Sequence, residues 1–211
     1  MTAHSPTEEK IFRAALVEFA EQGKNGARMN DIAVRAGINK ALVHYYFRSK
    51  DKLYQGVLQF IIAHFIKSIG EAIGKETRFD KMLRHFIHAY VDLVSANPLI
   101  PRFMLRELSC GAPALYEIVR GILKESGKTP VQMFLARIDE ASASGEISTV
   151  DPAQTLITVM GACLFAFIAH PLVSILTAGS QQAHETFIEN RKEHIFAILY
   201  FGLKPRKGQR S

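Results

Sequence analysis

The chain has no tryptophan and only two cysteines, Cys110 and Cys163, among its 211 residues. Two cysteines cannot build a disulfide framework. Both lie in apolar stretches of the sequence and are expected to be small core side chains rather than reactive thiols. There is no glycine-rich phosphate loop, no Gly-x-Ser-x-Gly turn and no evident histidine partner for either cysteine. No catalytic constellation is therefore legible, and neither an enzyme nor a cofactor is expected. No run of alternating apolar and polar residues is long enough for a strand. No cleavable signal peptide is read at the polar N-terminus, so the expected location is cytoplasmic.

What is present is helix-forming. Ala, Leu, Ile, Lys and Glu dominate, and Gly and Pro punctuate stretches of helical period, so the expected fold is all-α. A chain of this length holds one large or two small domains with a real core. The formal net charge of +6 is uneven. Residues 1–53 hold 9 Lys/Arg against 6 Asp/Glu, residues 54–203 hold 13 against 14, and the tail 204–211 holds 4 against none. The positive excess thus lies on the N-terminal segment and the tail, as suits a polyanionic partner.

Helix signals follow in order. Ser5, Pro6 and Glu8 open a first helix with a capping box, Phe12, Ala15, Leu16 and Phe19 form its apolar stripe, and Gly23, Asn25 and Gly26 end it. A second helix runs from about Met29 to Ala36, Gly37 supplies a turn, and Asn39 caps a third from about Lys40 to Phe47. Ser49 caps a long fourth helix toward Gly74. Further helices are expected at about 78–97, 99–109, 113–126 and 130–144. After a loop at 145–151, one runs from Pro152 to at least His170, with Pro171 interrupting it, and the last covers about 182–201. The tail 204–211 is expected to be disordered.

The second and third helices with their glycine turn read as a helix-turn-helix, a unit that places a helix in the DNA major groove. Ile32, Ala36, Ile38, Val43 and Phe47 face inward. Lys40, Ala41, Leu42, His44, Tyr45 and Tyr46 are left outward, with Lys50 at the next helix start. Lys and Tyr bond phosphates, and His and Tyr reach base edges or thymine methyls.

The segment Asp31-Ile-Ala-x-x-Ala-Gly37-Ile-x-Lys40, continued by Tyr46-Phe47-x-Ser-Lys50-x-x-Leu53, resembles the TetR family of transcriptional regulators. The resemblance is specific over residues 8–60 and architectural beyond. It implies a homodimer with a three-helix DNA-binding domain and a helical ligand-binding and dimerisation domain. It also implies release from operator DNA by a small effector. The expected domains are 1–50 and 51–203, followed by the tail. Carried over by position, the DNA-binding residues are Arg28, Asn39, Lys40, Ala41, Leu42, His44, Tyr45, Tyr46 and Lys50. Arg28 departs from the family, standing where a capping Thr is usual, and His44 stands where Tyr is common.

Three further groups of residues have a chemical or structural reading. His85, His88 and Asp92 share one helix face, but no fourth metal ligand is evident, and a polar helix flank accounts for them. A metal site is not expected. Phe86, Tyr90, Phe103, Met104, Phe134 and Phe165, with Phe167, are candidates for an apolar effector cavity, against the plainer reading of core. Pro152 to His184 contains no Asp, Glu, Lys or Arg. Its interior His170-Pro171, its threonines and serine, and the lack of a flanking basic cluster argue against a membrane span. With Gly161, Ala162, Ala166 and Ala169 for close contact, and Phe187, Ile188, Ile195, Ile198 and Leu199 on the last helix, it suits a four-helix bundle across a twofold axis through about 152–201. Alternatives left open are a metal-responsive protein and a DNA-binding protein without an effector.

Overall fold

Capping chemistry sets the helix starts in the computed structural model, which describes residues 5–74, 76, 78–125, 129–169, 172, 175 and 184–205. α1 (Pro6–Gly26) opens on the expected box: Ser5 Oγ accepts from the Glu8 N–H at 3.2 Å and Glu8 Oε2 accepts from the Ser5 N–H at 2.7 Å. Its helical path breaks at Gly23, and Lys24 to Gly26 form a separate turn. α2 (Met29–Ala36) and α3 (Lys40–Phe47) follow, then α4 (Lys50–Ile73), capped by Ser49, whose Oγ accepts from the Lys52 N–H at 3.3 Å. The chain continues through α5 (Phe79–Ala96), α6 (Leu99–Ser109), α7 (Pro113–Glu125), α8 (Pro130–Ala143), α9 (Pro152–Ile168) and α10 (His184–Leu203). No strand occurs among the described residues.

α9 ends two residues before the expected His170, with Ala169 as its C-cap. His170, Pro171 and most of the stretch to residue 183 lie outside the described residues, as do residues 206–211 of the tail. Lys204 stays against the body, its ammonium 4.9 Å from the Tyr200 ring and 5.1 Å from that of Phe201.

The chain forms two compact units. The first gathers Met1–His64 with Pro98–Glu125, and the second Phe65–Asn97 with Ser126–Ser211. This partition differs from a boundary near residue 50: the first half of α4, together with α6 and α7, shares the core of the N-terminal helices. Phe103 of α6 is fully buried there, its ring 5.3 Å from Tyr54 of α4 and 6.5 Å from Phe19 of α1. Phe12 and Phe47, 5.1 Å apart, join α1 to the end of α3.

The second unit packs α5 against α8, α9 and α10. Phe79, Met82, Leu83, Phe86 and Ile87 of α5 are all fully buried. Phe134 of α8 stacks on Phe86 at 4.4 Å. Ile188 and Ile195 of α10 serve this internal core.

α4 is long and apolar enough to cross a membrane by length and composition. Its apolar residues already have occupations, with Leu53, Val57 and Leu58 in the first core and Ile69 and Ile73 in the second.

Candidate DNA-binding interface

The helix-turn-helix rests on a dry frame. Ile32 and Ala33 of α2 and Val43 of α3 are buried against Ile11, Ala15 and Phe19 of α1. Gly37 closes α2 at φ 67°, a left-handed conformation that glycine adopts without a Cβ clash. The turn lets the Ile38 N–H reach the Ala33 carbonyl at 3.1 Å and the Gly37 N–H reach that of Val34 at 3.1 Å. Arg35 fixes α2 on α1 through Glu18 at 3.3 Å and Glu21 at 3.0 Å. Asn39 Oδ1 accepts from the Ala41 N–H at 2.8 Å and caps α3.

On this frame Lys40, Ala41, Leu42, His44 and Tyr45 are exposed, Tyr45 to 71 %. Tyr46 is half-buried, its ring 6.2 Å from that of Phe47, because its position on α3 turns it partly toward the core. Arg28 is exposed at the N-cap of α2 and makes no capping bond. Lys50 is directed inward: its ammonium donates to the carbonyls of Asn25 at 3.0 Å and Ala27 at 3.1 Å. That clasp was hidden in the sequence, because its acceptors are backbone atoms more than twenty residues away. So was the join between α3 and α4, where Arg48 has φ 58° and the Ser49 N–H donates to the Phe47 carbonyl in a γ-turn.

Residues 11–57, the frame and both motif helices, match the family model of bacterial regulatory proteins of the tetR family. The transcriptional regulator RutR of Escherichia coli is 28% identical over 211 residues, covering 97% of this chain and 93% of RutR. Residues 11–57 are thus a DNA-binding domain of the tetR type. The chain is also 43% identical, over 61 residues, to the transcriptional repressor SCO4008 of Streptomyces coelicolor, a match covering 28% of this chain and 32% of that one. The fold agrees with the regulator FadR of Bacillus subtilis, solved in complex with stearoyl-CoA, at TM-score 0.67 and 17% identity over 92% of this chain and 98% of FadR. The matched segment is the DNA-binding helix-turn-helix, and these relatives are named as transcriptional regulators.

The six aromatic and methionine candidates for a TetR-type effector site do not gather in one unit. Phe86, Tyr90 and Phe134 share the core of the second, Phe103 and Met104 pack in the first, and Phe165 is 63% exposed on α9. Burial holds the Tyr90 hydroxyl at a pKa of about 12, so it stays a proton donor. His85, His88 and Asp92 each turn to a different partner: Glu76 at 3.3 Å, Glu193 at 3.0 Å and Lys192 at 2.6 Å. Among the described residues no group of three metal-ligating side chains assembles.

Proposed function

We propose that this protein is a cytoplasmic repressor of the TetR family that binds operator DNA as a homodimer and is released by a small, largely apolar ligand. The observation that carries the DNA-binding part is the exposed Lys40, His44 and Tyr45 face on a helix held by a fully buried frame. α3 enters the major groove. Lys40 meets phosphate or a guanine edge, and His44 and Tyr45 meet base edges and thymine methyls. Arg28 and the uncapped N-terminus of α2 supply phosphate contacts beside it. The positive excess of the first 53 residues adds affinity that salt weakens.

The homodimer reading draws on apolar surface in the second unit. Ile157, Phe165 and Ile168 of α9 and Ile198 and Phe201 of α10 are exposed. Along α9 the stripe continues through Gly161, where a Cβ would meet nothing within 4 Å. Release by an effector is a population shift: the ligand favours a dimer whose recognition helices no longer match successive major grooves. α4 runs from one compact unit into the other and is the lever in this reading. An apolar effector is in keeping with the acyl-CoA bound by the FadR of similar fold. The effector-independent alternative draws on the close stacking of Phe86 on Phe134.

The test is binding of the purified protein to DNA from around its own gene at two salt concentrations, beside a Lys40→Ala/Tyr45→Ala variant. Site-selective binding that weakens by at least about tenfold in the variant is expected. Equal binding by both proteins would reject α3 as the reading element.

A further inference from the structure

The first unit contains a cavity of about 280 Å³ where the end of α1, the second turn of α4, the last turn of α6 and the start of α7 meet. It lies apart from the outward face of α3. Lys24, Tyr54, Arg106, Glu107 and Cys110 are among the residues that line it. Glu107 is only 5% exposed. Its Oε2 accepts the Tyr54 hydroxyl at 2.6 Å, whereas its buried Oε1 accepts no hydrogen bond. A buried carboxylate oxygen without a donor is unfavourable, so a cation drawn to the Glu107 carboxylate offsets part of that cost.

The exposed cation beside it has no anion partner among the described residues. Among the described residues the Arg106 guanidinium makes no hydrogen bond or ion pair, while the Arg106 carbonyl accepts from the Cys110 N–H at 3.2 Å. The guanidinium lies over Gly23, where a Cβ would come within 2.3 Å of Nη2, and Gly23 itself has φ 71°. Any other residue at 23 would be strained and would displace Arg106. Lys24 adds a second positive charge at the wall. It is paired with Asp51 at 3.0 Å and sits 5.3 Å from the Tyr54 ring centroid.

The cavity therefore offers one acceptor lacking a donor and one cation lacking an anion. Its volume lies just below the usual range for drug-sized ligands, which fits a small metabolite. We propose that it binds a small amino-carboxylic acid, whose ammonium group pairs with the Glu107 carboxylate and whose carboxylate pairs with Arg106. The site is separate from an apolar effector site, and the proposal does not rest on the regulatory reading.

Cys110 is exposed at the cavity wall instead of filling a core as expected, because it follows the last turn of α6, and it reports occupancy; Cys163 is buried as expected and is an internal control. Alkylation of the intact protein by iodoacetamide is followed by mass spectrometry with glycine, β-alanine, γ-aminobutyrate or 6-aminohexanoate present. At least one of these amino acids is expected to protect Cys110, slowing its labelling about fourfold at three times its Kd. Acetate and ethylammonium, each carrying one of the two charges, are expected to protect little. Glu107→Gln and Arg106→Gln are each expected to abolish protection while Cys163 stays unlabelled. Arg106 is exposed, so the second variant decides the matter if the first does not fold. No protection by any of the four at millimolar concentration, equal protection by acetate, or protection that survives in Arg106→Gln would overturn the proposal.

Discussion

Tyr54 of α4 donates a 2.6 Å hydrogen bond to Glu107 of α6, with both side chains about 95% buried. The pair ties α6 to the helices that carry the recognition element. Tyr54→Phe removes the donor and leaves a buried carboxylate with neither oxygen bonded, so stability should fall by about 1–3 kcal/mol in a denaturant titration. Removing both groups, as in Tyr54→Phe/Glu107→Leu, should cost less than the two single changes together, since no orphan then remains. The pair also carries a pH signature. Burial first, then the Glu107 carboxylate, raises the Tyr54 pKa above its ordinary 10.0. The folded state holds that proton when the unfolded chain has lost it, so stability present below pH 10 is lost as pH rises further. Tyr54→Phe should flatten this alkaline limb, and an unchanged slope would mean the two groups are not coupled.

Lys50 is expected to act on stability more than on DNA. Two of its three ammonium hydrogens are taken by the Asn25 and Ala27 carbonyls, which fasten the start of α4 to the turn between α1 and α2. Lys50→Met should lower stability by about 1–3 kcal/mol. It should change the slope of log affinity against log salt by less than the roughly one unit that a full phosphate contact carries. A full unit lost with stability unchanged would return Lys50 to the phosphate backbone.

These two clasps mark the boundary of what the sequence could reveal. Capping is local: Ser5 with Glu8, Asn39 and Ser49 act within three residues, and Gly37 answers to the backbone of its own turn. Those starts and the helix-turn-helix were therefore readable. Tyr54 and Glu107 lie 53 positions apart, and Lys50 reaches backbone carbonyls that carry no side-chain signature. The same distance problem governs α6. Its apolar stripe says that it packs, while only the seat of Phe103 beside Phe19 and Tyr54 says with what. His85, His88 and Asp92 do share the face their spacing indicated, but Glu76, Glu193 and Lys192 pull them to separate partners. On α10 the period identified an apolar helix without separating its two faces. Ile188 and Ile195 fill the protomer's own core, and Ile198 is left outside.

Arg28 offers a trade between stability and DNA binding. α2 begins without a side-chain cap, and the Arg28 side chain is exposed there. Arg28→Thr supplies an oxygen for the free N–H groups and should raise stability by about 0.5–2 kcal/mol. It also removes a positive charge, and should lower DNA affinity across all sequences with a shallower salt dependence. A variant more stable and equally tight on DNA would show that Arg28 touches no phosphate.

The exposed stripe on α9 makes the last prediction. Ile157, Gly161, Phe165 and Ile168 recur at the three- and four-residue spacing of one helix face, and Ile198 and Phe201 extend apolar surface on α10. A single protomer leaves Phe165 63% and Phe201 63% exposed to water. Fully burying an exposed side chain of this size is worth about 1.5–3 kcal/mol, so covering the exposed part would recover roughly 1–2 kcal/mol at each site, twice over by symmetry. Phe165→Asp should therefore shift the protein from dimer to monomer in light scattering coupled to size exclusion. Its melting temperature at low concentration should hardly change, because Phe165 is not part of the protomer's core. The monomer should lose tight operator binding while keeping weak, salt-sensitive affinity, since one recognition helix reads only a half-site. If Phe165→Asp stays dimeric, the partner sits on another face, and the apolar surfaces of α6 and α7 at Leu108 and Tyr116, 54% and 63% exposed, become the next to substitute.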